Sequence, residues 1–355
     1  MIAMQGMVST FPPVSRRVAL LGAGVALAGC SPAAAPPGSP ERAPDIADDV
    51  FVMPDGMRLP YRAWLPDRHQ WGEPWAVVLA LHGFNDSRDA WEIPAPAFAA
   101  AGVALYAPDQ RGFGATSARG LWPGANALAD DAAAMAALLR RRHPQARRVL
   151  MGESMGGAVL MHLATRETTP LAAVPADCMV LLAPAVWGRA AMNVFMQGGL
   201  WFAATFLPGM TVTRPPPLVR IVASDNVEAL RALGRNPLTI RGTRFDTLRG
   251  LVDLMDLALA AAPMFPAMPA LFLYGAHDSI IPAAATRTLW GALPEAPVRR
   301  SYYPHGYHLL PRDLGRATVI GDILAWLREP AASLPSQGEA AASAWLSGGS
   351  SSAAR

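Results

Sequence analysis

The stretch Val149-Leu150-Met151-Gly152-Glu153-Ser154-Met155-Gly156-Gly157-Ala158 constrains this chain more than any other. An apolar strand runs straight into Gly-x-Ser-x-Gly, and an apolar helical segment over residues 155–166 follows without a spacer. A serine at such a turn sits in a strained backbone conformation. Glycines two positions to either side are needed because a side chain there collides with the neighbouring strand or helix. The turn presents the serine Oγ at the first turn of a helix, whose positive end favours developing negative charge. The pentapeptide alone says little; its place between strand and helix makes it informative.

The rest of the chain supplies a matching frame. A hairpin is expected over residues 49–64, its turn at Pro54-Asp55-Gly56. Ala76-Val77-Val78-Leu79-Ala80-Leu81 is the continuous apolar run of a strand covered on both faces. Runs at 103–107, 148–151, 179–183, 270–274 and 298–303 follow the same logic. Helical segments at 88–101, 126–142, 155–166, 283–293 and 313–328 lie between most of them. Strands alternating with helices predict an α/β fold, a mostly parallel central sheet with helices on both faces. Residues 188–263 break the alternation with helices and Pro-rich turns and no clear strand, which marks a helical cap insertion.

A serine hydroxyl is a poor nucleophile near neutral pH, so it needs a base, and the base needs a group that fixes its tautomer. Asp278 follows one strand in Tyr274-Gly275-Ala276-His277-Asp278, and His308 follows another in His305-Gly306-Tyr307-His308-Leu309-Leu310. Loops beyond the carboxyl ends of parallel strands are where sites gather in open α/β sheets. The order Ser154, Asp278, His308 is that of the α/β-hydrolases. Ser154 is thus the candidate nucleophile, His308 the base with His305 as its rival, and Asp278 the orienting acid. His277 beside it reads as a solvated loop residue. After the strand at 76–81 comes His82-Gly83-Phe84-Asn85-Asp86, and the backbone N–H groups of Phe84 and Met155 are expected to form the oxyanion hole. His82 reads as structural, Asp109 and Arg111 as a loop-fixing pair, and His162 as a packed helix residue. Glu153 reads as a solvated carboxylate rather than a tuner of the site.

His82-Gly83-Phe84, Asp109-Gln110-Arg111-Gly112-Phe113-Gly114, the elbow GESMGG, the YGAHD acid loop and the GYHLL histidine loop together resemble the monoacylglycerol lipase and lysophospholipase group of α/β-hydrolases, the serine aminopeptidase S33-like set. The resemblance spans roughly residues 48–329. It implies an α/β-hydrolase fold and cleavage of a lipid-type carboxylic ester, a monoacylglycerol or lysophospholipid, through an acyl-enzyme. No metal or organic cofactor and no obligate protein partner is implied. Asn236, in Arg235-Asn236-Pro237-Leu238-Thr239-Ile240, stands where the group commonly carries Asp, and Asp313 stands near the acid that usually follows the histidine loop. Amide or peptide substrates, as in the aminopeptidases of the set, are the runner-up, with a cofactor-free haloperoxidase behind them. A retired hydrolase scaffold that binds lipid is the rival from another class.

The charge balance, 30 cationic against 27 acidic side chains, is too small to suggest a nucleic-acid partner. Every cation is arginine. The two cysteines, Cys30 and Cys178, cannot form a metal-ligand cluster. Cys178 opens a buried strand, where a thiol behaves as a small hydrophobe. Cys30 ends a leader with Arg16-Arg17, an apolar run from Val18 to Ala28, and Leu27-Ala28-Gly29-Cys30. The run is too short to span a bilayer and reads as a signal segment over residues 1–29. Its end resembles the lipobox of bacterial lipoproteins, which implies acylation of Cys30, a membrane anchor and the periplasmic side of the envelope, with sorting to an outer membrane compatible with Ser31. Ser15-Arg16-Arg17 also resembles a twin-arginine signal; an ordinary cleaved signal with a chance cysteine is the plain alternative. Residues 30–47 are expected to be a tether, 48–329 the hydrolase domain and 330–355 a disordered tail.

In the cap, the segment 194–207 is rich in Trp, Phe and Met. It reads either as a helix-hairpin core or as an acyl-tunnel lining or membrane-facing lid.

Overall fold

The computed structural model describes residues 34–166, 176–213 and 221–348. Cys30 and the leader lie outside the described residues.

Strands β1 (Asp45–Ile46), β2 (Val50–Val52), β3 (Arg58–Trp64), β4 (Ala76–Leu81), β5 (Val103–Pro108), β6 (Arg147–Glu153), β7 (Cys178–Leu182), β10 (Ala270–Gly275) and β11 (Val298–Tyr303) form one sheet. Its order is β1-β2-β3-β5-β4-β6-β7-β10-β11. From β5 to β11 the strands are parallel, and the β1–β3 edge is antiparallel. Strand β4 has β5 on one side and β6 on the other, so successive connections leave it in opposite directions and open a crevice at its carboxyl end.

The apolar runs have two destinations because a strand alternates its faces. Val77, Leu79 and Leu81 of β4 join the larger core, while Ala76, Val78 and Ala80 join the smaller one on the opposite face. The helices are α1 (Arg68–Trp71), α2 (Ala95–Ala100), α3 (Ala125–Arg142), α4 (Met155–Thr165), α5 (Val194–Phe206), α6 (Val227–Arg235), α7 (Phe245–Ala261), α8 (Ala283–Ala292), α9 (Arg316–Arg328) and α10 (Gly338–Leu346). Helix α4, buried nearly throughout, packs against α3 and α7 on the larger-core face. Helices α2 and α9 cover the other face through Phe98, Ile323 and Trp326.

Three segments differ from the sequence reading. The insertion at 188–263 contains a short ribbon, β8 (Thr211–Val212) with β9 (Thr243–Arg244), and its last helix, α7, buries Leu251, Leu254 and Ala258 in the main core. Part of the expected cap therefore belongs to the body of the domain. The expected tether is laid on that body from residue 34 onward: Ala35 N–H donates to the Trp122 carbonyl, Gly38 N–H donates to Asp55, and Asp45–Ile46 pairs with β2. The expected disordered tail holds α10, which packs on β11. Trp345 stacks on Tyr302, ring centres 5.0 Å apart, and the Arg287 guanidinium lies 3.9 Å from the Trp345 ring centre. Alanine and serine around Trp345 disguised a helix whose one aromatic residue has an aromatic socket.

Candidate active site

Ser154 is the residue between β6 and α4, with φ 53° and ψ −113°. A side chain at positive φ costs on the order of 1–3 kcal/mol, so the neighbours must impose it. They do: Ser154 N–H donates to the Leu182 carbonyl at 2.9 Å, and the Ser154 carbonyl accepts from Ala185 N–H at 2.9 Å. The flanking glycines let backbone meet backbone. A Cβ on Gly156 would fall 2.4 Å from the Leu81 carbonyl oxygen, and one on Gly152 would fall 2.5 Å from the Gly156 carbonyl carbon.

The loop after β4 passes over this turn. A Cβ on Gly83 would come 3.4 Å from Ser154 Cβ and 4.0 Å from its Oγ, so the backbone leading into Phe84 faces the hydroxyl. Met155 is the first residue of α4, where an amide has no intrahelical acceptor. Both expected oxyanion donors thus flank Ser154. His82 anchors the loop from beneath. It is buried, its Nδ1 lies 2.8 Å from the Gly83 carbonyl, and its Nε2 accepts from Gln110 N–H at 3.1 Å. That arrangement suits a neutral ring, and burial pushes its basicity down in agreement.

Asp278 and His308 leave the ends of β10 and β11. His308 Nδ1 and Asp278 Oδ2 are 2.8 Å apart, with the carboxylate side chain fully buried. Asp278 Oδ1 accepts from Ile280 and Ile281 N–H at 2.8 and 2.9 Å, which fixes the carboxylate's rotation. Burial pulls the basicity of His308 down; the charge and hydrogen bond of Asp278 more than offset it, and the net shift is upward. His305 is exposed on the same loop, and exposed His277 lies with its ring 5.1 Å from that of Tyr307.

Ser154, His308, Gly83 and Phe84 open together onto a cavity of about 500 Å³. Much of its lining is apolar, with Trp187, Met192, Leu248, Leu251, Val252 and Met255. The aromatics of α5 do not line it. Phe195, Trp201, Phe202 and Phe206 are exposed, and Ala204 is the one buried residue of that helix. Neither a helix-hairpin core nor a tunnel lining describes α5, and its aromatic face is turned outward.

Several minor expectations change. Asp109 and Arg111 do not pair with each other. Asp109 pairs with Arg88 and accepts from Arg88 and Ala115 N–H, whereas Arg111 binds both Asp131 and Asp55. Glu153 is no solvated carboxylate: it is buried and ion-paired with Arg312. His162 is packed as expected, its Nε2 2.8 Å from Asn126 Oδ1. Asn236 donates to Asp89, and Asp313 accepts from Tyr307 N–H at 2.8 Å and from the Ser224 hydroxyl at 2.6 Å. Cys178 is buried on β7, which pushes its thiol up to about 11.

The segment before α6 is laced to the histidine loop. Leu309 N–H donates to the Ala223 carbonyl, Asn226 Nδ2 to the Arg312 carbonyl, and Leu314 N–H to Asp225. Sequence reasoning missed Arg312 and Asp86, which join Glu153 in a buried ion cluster; no local spacing signals partners 159 and 226 residues apart.

Comparison with known proteins agrees with this geometry. The family model described as serine aminopeptidase, S33, matches residues 72–315. A monoacylglycerol lipase of Mycolicibacterium smegmatis is 26% identical over 283 residues, covering 79% of this chain and 96% of that one. The monoglyceride lipase of Mus musculus is 23% identical over 303 residues, covering 83% and 95%. Among solved structures, a soluble variant of monoglyceride lipase from Saccharomyces cerevisiae superposes with a TM-score of 0.63 at 19% identity, over 83% of this chain and 98% of that one. With an elbow serine, a buried Asp–His pair and a family match across most of the domain, the chain belongs to the serine aminopeptidase S33 family of α/β-hydrolases.

Proposed function

We propose that this protein is a serine ester hydrolase that cleaves monoacylglycerol-type lipid esters through an acyl-enzyme. The observation that carries the reading is the shared cavity: the elbow serine and His308, the ring held by buried Asp278, line one chamber whose other walls are largely apolar. The similarity to two monoacylglycerol lipases over nearly their full length supports the substrate class.

In this reading Ser154 Oγ attacks the ester carbonyl carbon while His308 Nε2 takes its proton. The carbonyl oxygen gains the negative charge and is held by the Phe84 and Met155 N–H groups; each such donor is worth about 3 kcal/mol in the transition state. Asp278 keeps the His308 proton on Nδ1 and stabilises the imidazolium. That imidazolium then protonates the departing glycerol oxygen, leaving the acyl group on Ser154. Water, deprotonated by His308, attacks the acyl carbon and releases the fatty acid and free serine. The acyl chain lies along Leu248, Leu251 and Val252. Burial of each CH₂ there contributes ~0.8 kcal/mol, which favours long chains over short ones. The lipobox-like sequence ending at Cys30 supports a lipid anchor outside the cytoplasm, and Cys30→Ala should then release the enzyme from the membrane fraction.

A fluorophosphonate probe tests the chemistry: wild-type protein should label at Ser154, and Ser154→Ala should neither label nor turn over ester. Rates on acylglycerols of rising chain length, set against aminoacyl anilides, test the substrate. Faster anilide turnover would replace the lipase reading with a peptidase one.

A further inference from the structure

We propose that Arg312 is a positioning residue for the reaction, its guanidinium fastening the loop that carries His308 to the residue before Ser154 and to the loop that carries Phe84. The inference rests on the Ser154–His308–Asp278 reading above.

Arg312 stands four residues beyond His308, at the end of the short 3₁₀ turn Leu310–Arg312. Its Nη1 donates to Asp86 Oδ2 at 2.8 Å and its Nη2 to Glu153 Oε2 at 2.5 Å. The three side chains retain 6%, 8% and 1% of their exposure, so these are buried charges. Asp86 lies two residues after Phe84, and Glu153 immediately precedes Ser154. One planar group therefore ties together the three segments that carry the oxyanion amide, the nucleophile and the base. A planar fork can do this in a fixed geometry; an ammonium cannot.

Burying such a cluster is a poor route to stability, since apolar residues of similar volume commonly serve a fold as well or better. The cluster is also one cation short. Two carboxylates share one guanidinium, and Glu153 Oε1 has no hydrogen-bond partner among the described residues. The groups acting on His308 are Asp278, Glu153 and Arg312, and those acting on Glu153 are Arg312, Asp86 and His308. Asp313, from the same loop, also feels Glu153, and the neutral His82 lies near Asp86 and Arg312. Glu153 favours the imidazolium form of His308 and Arg312 opposes it. The pair thus holds the base in place while its two charges act on it in opposite directions.

Two conservative variants separate positioning from bulk stability. Glu153→Gln keeps shape and removes one negative charge, so the acidic limb of kcat/KM on an ester should move to lower pH, by about half a unit. Arg312→Lys keeps the charge and loses the fork. It should lower kcat about tenfold with KM changed less than about twofold and the acidic limb in place. The double variant should lose little beyond Arg312→Lys, because both changes break one contact. An unmoved limb in Glu153→Gln would overturn the proposal, as would an Arg312→Lys loss that vanishes once rates are corrected for folded fraction. Wild-type labelling at Ser154 by fluorophosphonate keeps the two readings apart: labelling with indifferent variants sinks only the positioning role, while absent labelling sinks the nucleophile assignment itself.

Discussion

The carboxylate of Asp278 is held on both oxygens, Oδ2 by His308 Nδ1 at 2.8 Å and Oδ1 by two successive backbone amides. It can neither rotate nor trade partners, so the imidazole it meets is fixed in both orientation and tautomer. Asp278→Asn preserves the amide contacts but presents an NH₂ group to Nδ1, which then must accept and leave Nε2 protonated. We expect kcat to fall by about 10⁴-fold with little change in KM, as measured by steady-state hydrolysis of a soluble ester. Near-unchanged turnover would remove Asp278 from the relay.

The same contact sets a pH dependence. In the proposed mechanism the base must be neutral to accept the Ser154 proton, so kcat/KM should rise with pH through the His308 titration. Burial opposes the charged ring, but Asp278 outweighs burial and the net shift is upward. The acidic limb should therefore have its midpoint above the ordinary imidazole value of about 6.5. A pH–rate profile at substrate concentrations far below KM reads it, and a midpoint clearly below that value would contradict the geometry.

Asp313 predicts a stability effect of opposite character. Burial pushes its carboxyl up to about 6, against the bonds from Ser224 and Tyr307 that favour the charged form. The folded protein therefore binds this proton more tightly than the unfolded chain does. The associated stability is present below the unfolded value near 4 and is lost as pH rises through about 6, at most about 3 kcal/mol. Asp313→Asn, whose oxygen can accept from Tyr307 N–H while its NH₂ donates to the Ser224 hydroxyl, should come closest to wild type in urea melts near pH 3.5 and exceed it near pH 8.

Trp345 is expected to support the fold without touching the chemistry. Its ring contacts Tyr302, Tyr274, Trp290 and Arg287. Trp345→Ala should lower stability by about 2–3 kcal/mol. Activity per folded molecule should stay at wild type when thermal melts and titration of active serines are combined.

The sequence displayed the strands, the elbow and the Asp–His pair because each follows from local pattern: an apolar run, a glycine spacing, a loop after a strand. What it concealed were side-chain partnerships across the chain. Arg111 read as the mate of Asp109 because they are near in sequence, yet a guanidinium pairs where the fold places carboxylates, here Asp55 and Asp131. Glu153 read as solvated because an acid beside a turn usually is; nothing nearby announced that Arg312 would arrive from the far end of the sheet. The C-terminal helix escaped notice because small residues carry no amphipathic signal, and Trp345 alone hinted that something large needed a home.

The roof over the cavity is stitched unequally. On one rim, residues 221–240 are sewn to the histidine loop and, through Asn236 and Ile240, to the strand-β4 loop, so lifting them would drag the reactive groups apart. Away from the cavity, α5 rests against α7 chiefly by side-chain packing and buries a single alanine. No residue of α5 lines the cavity, so its outward aromatics can be exchanged without altering the walls around Ser154.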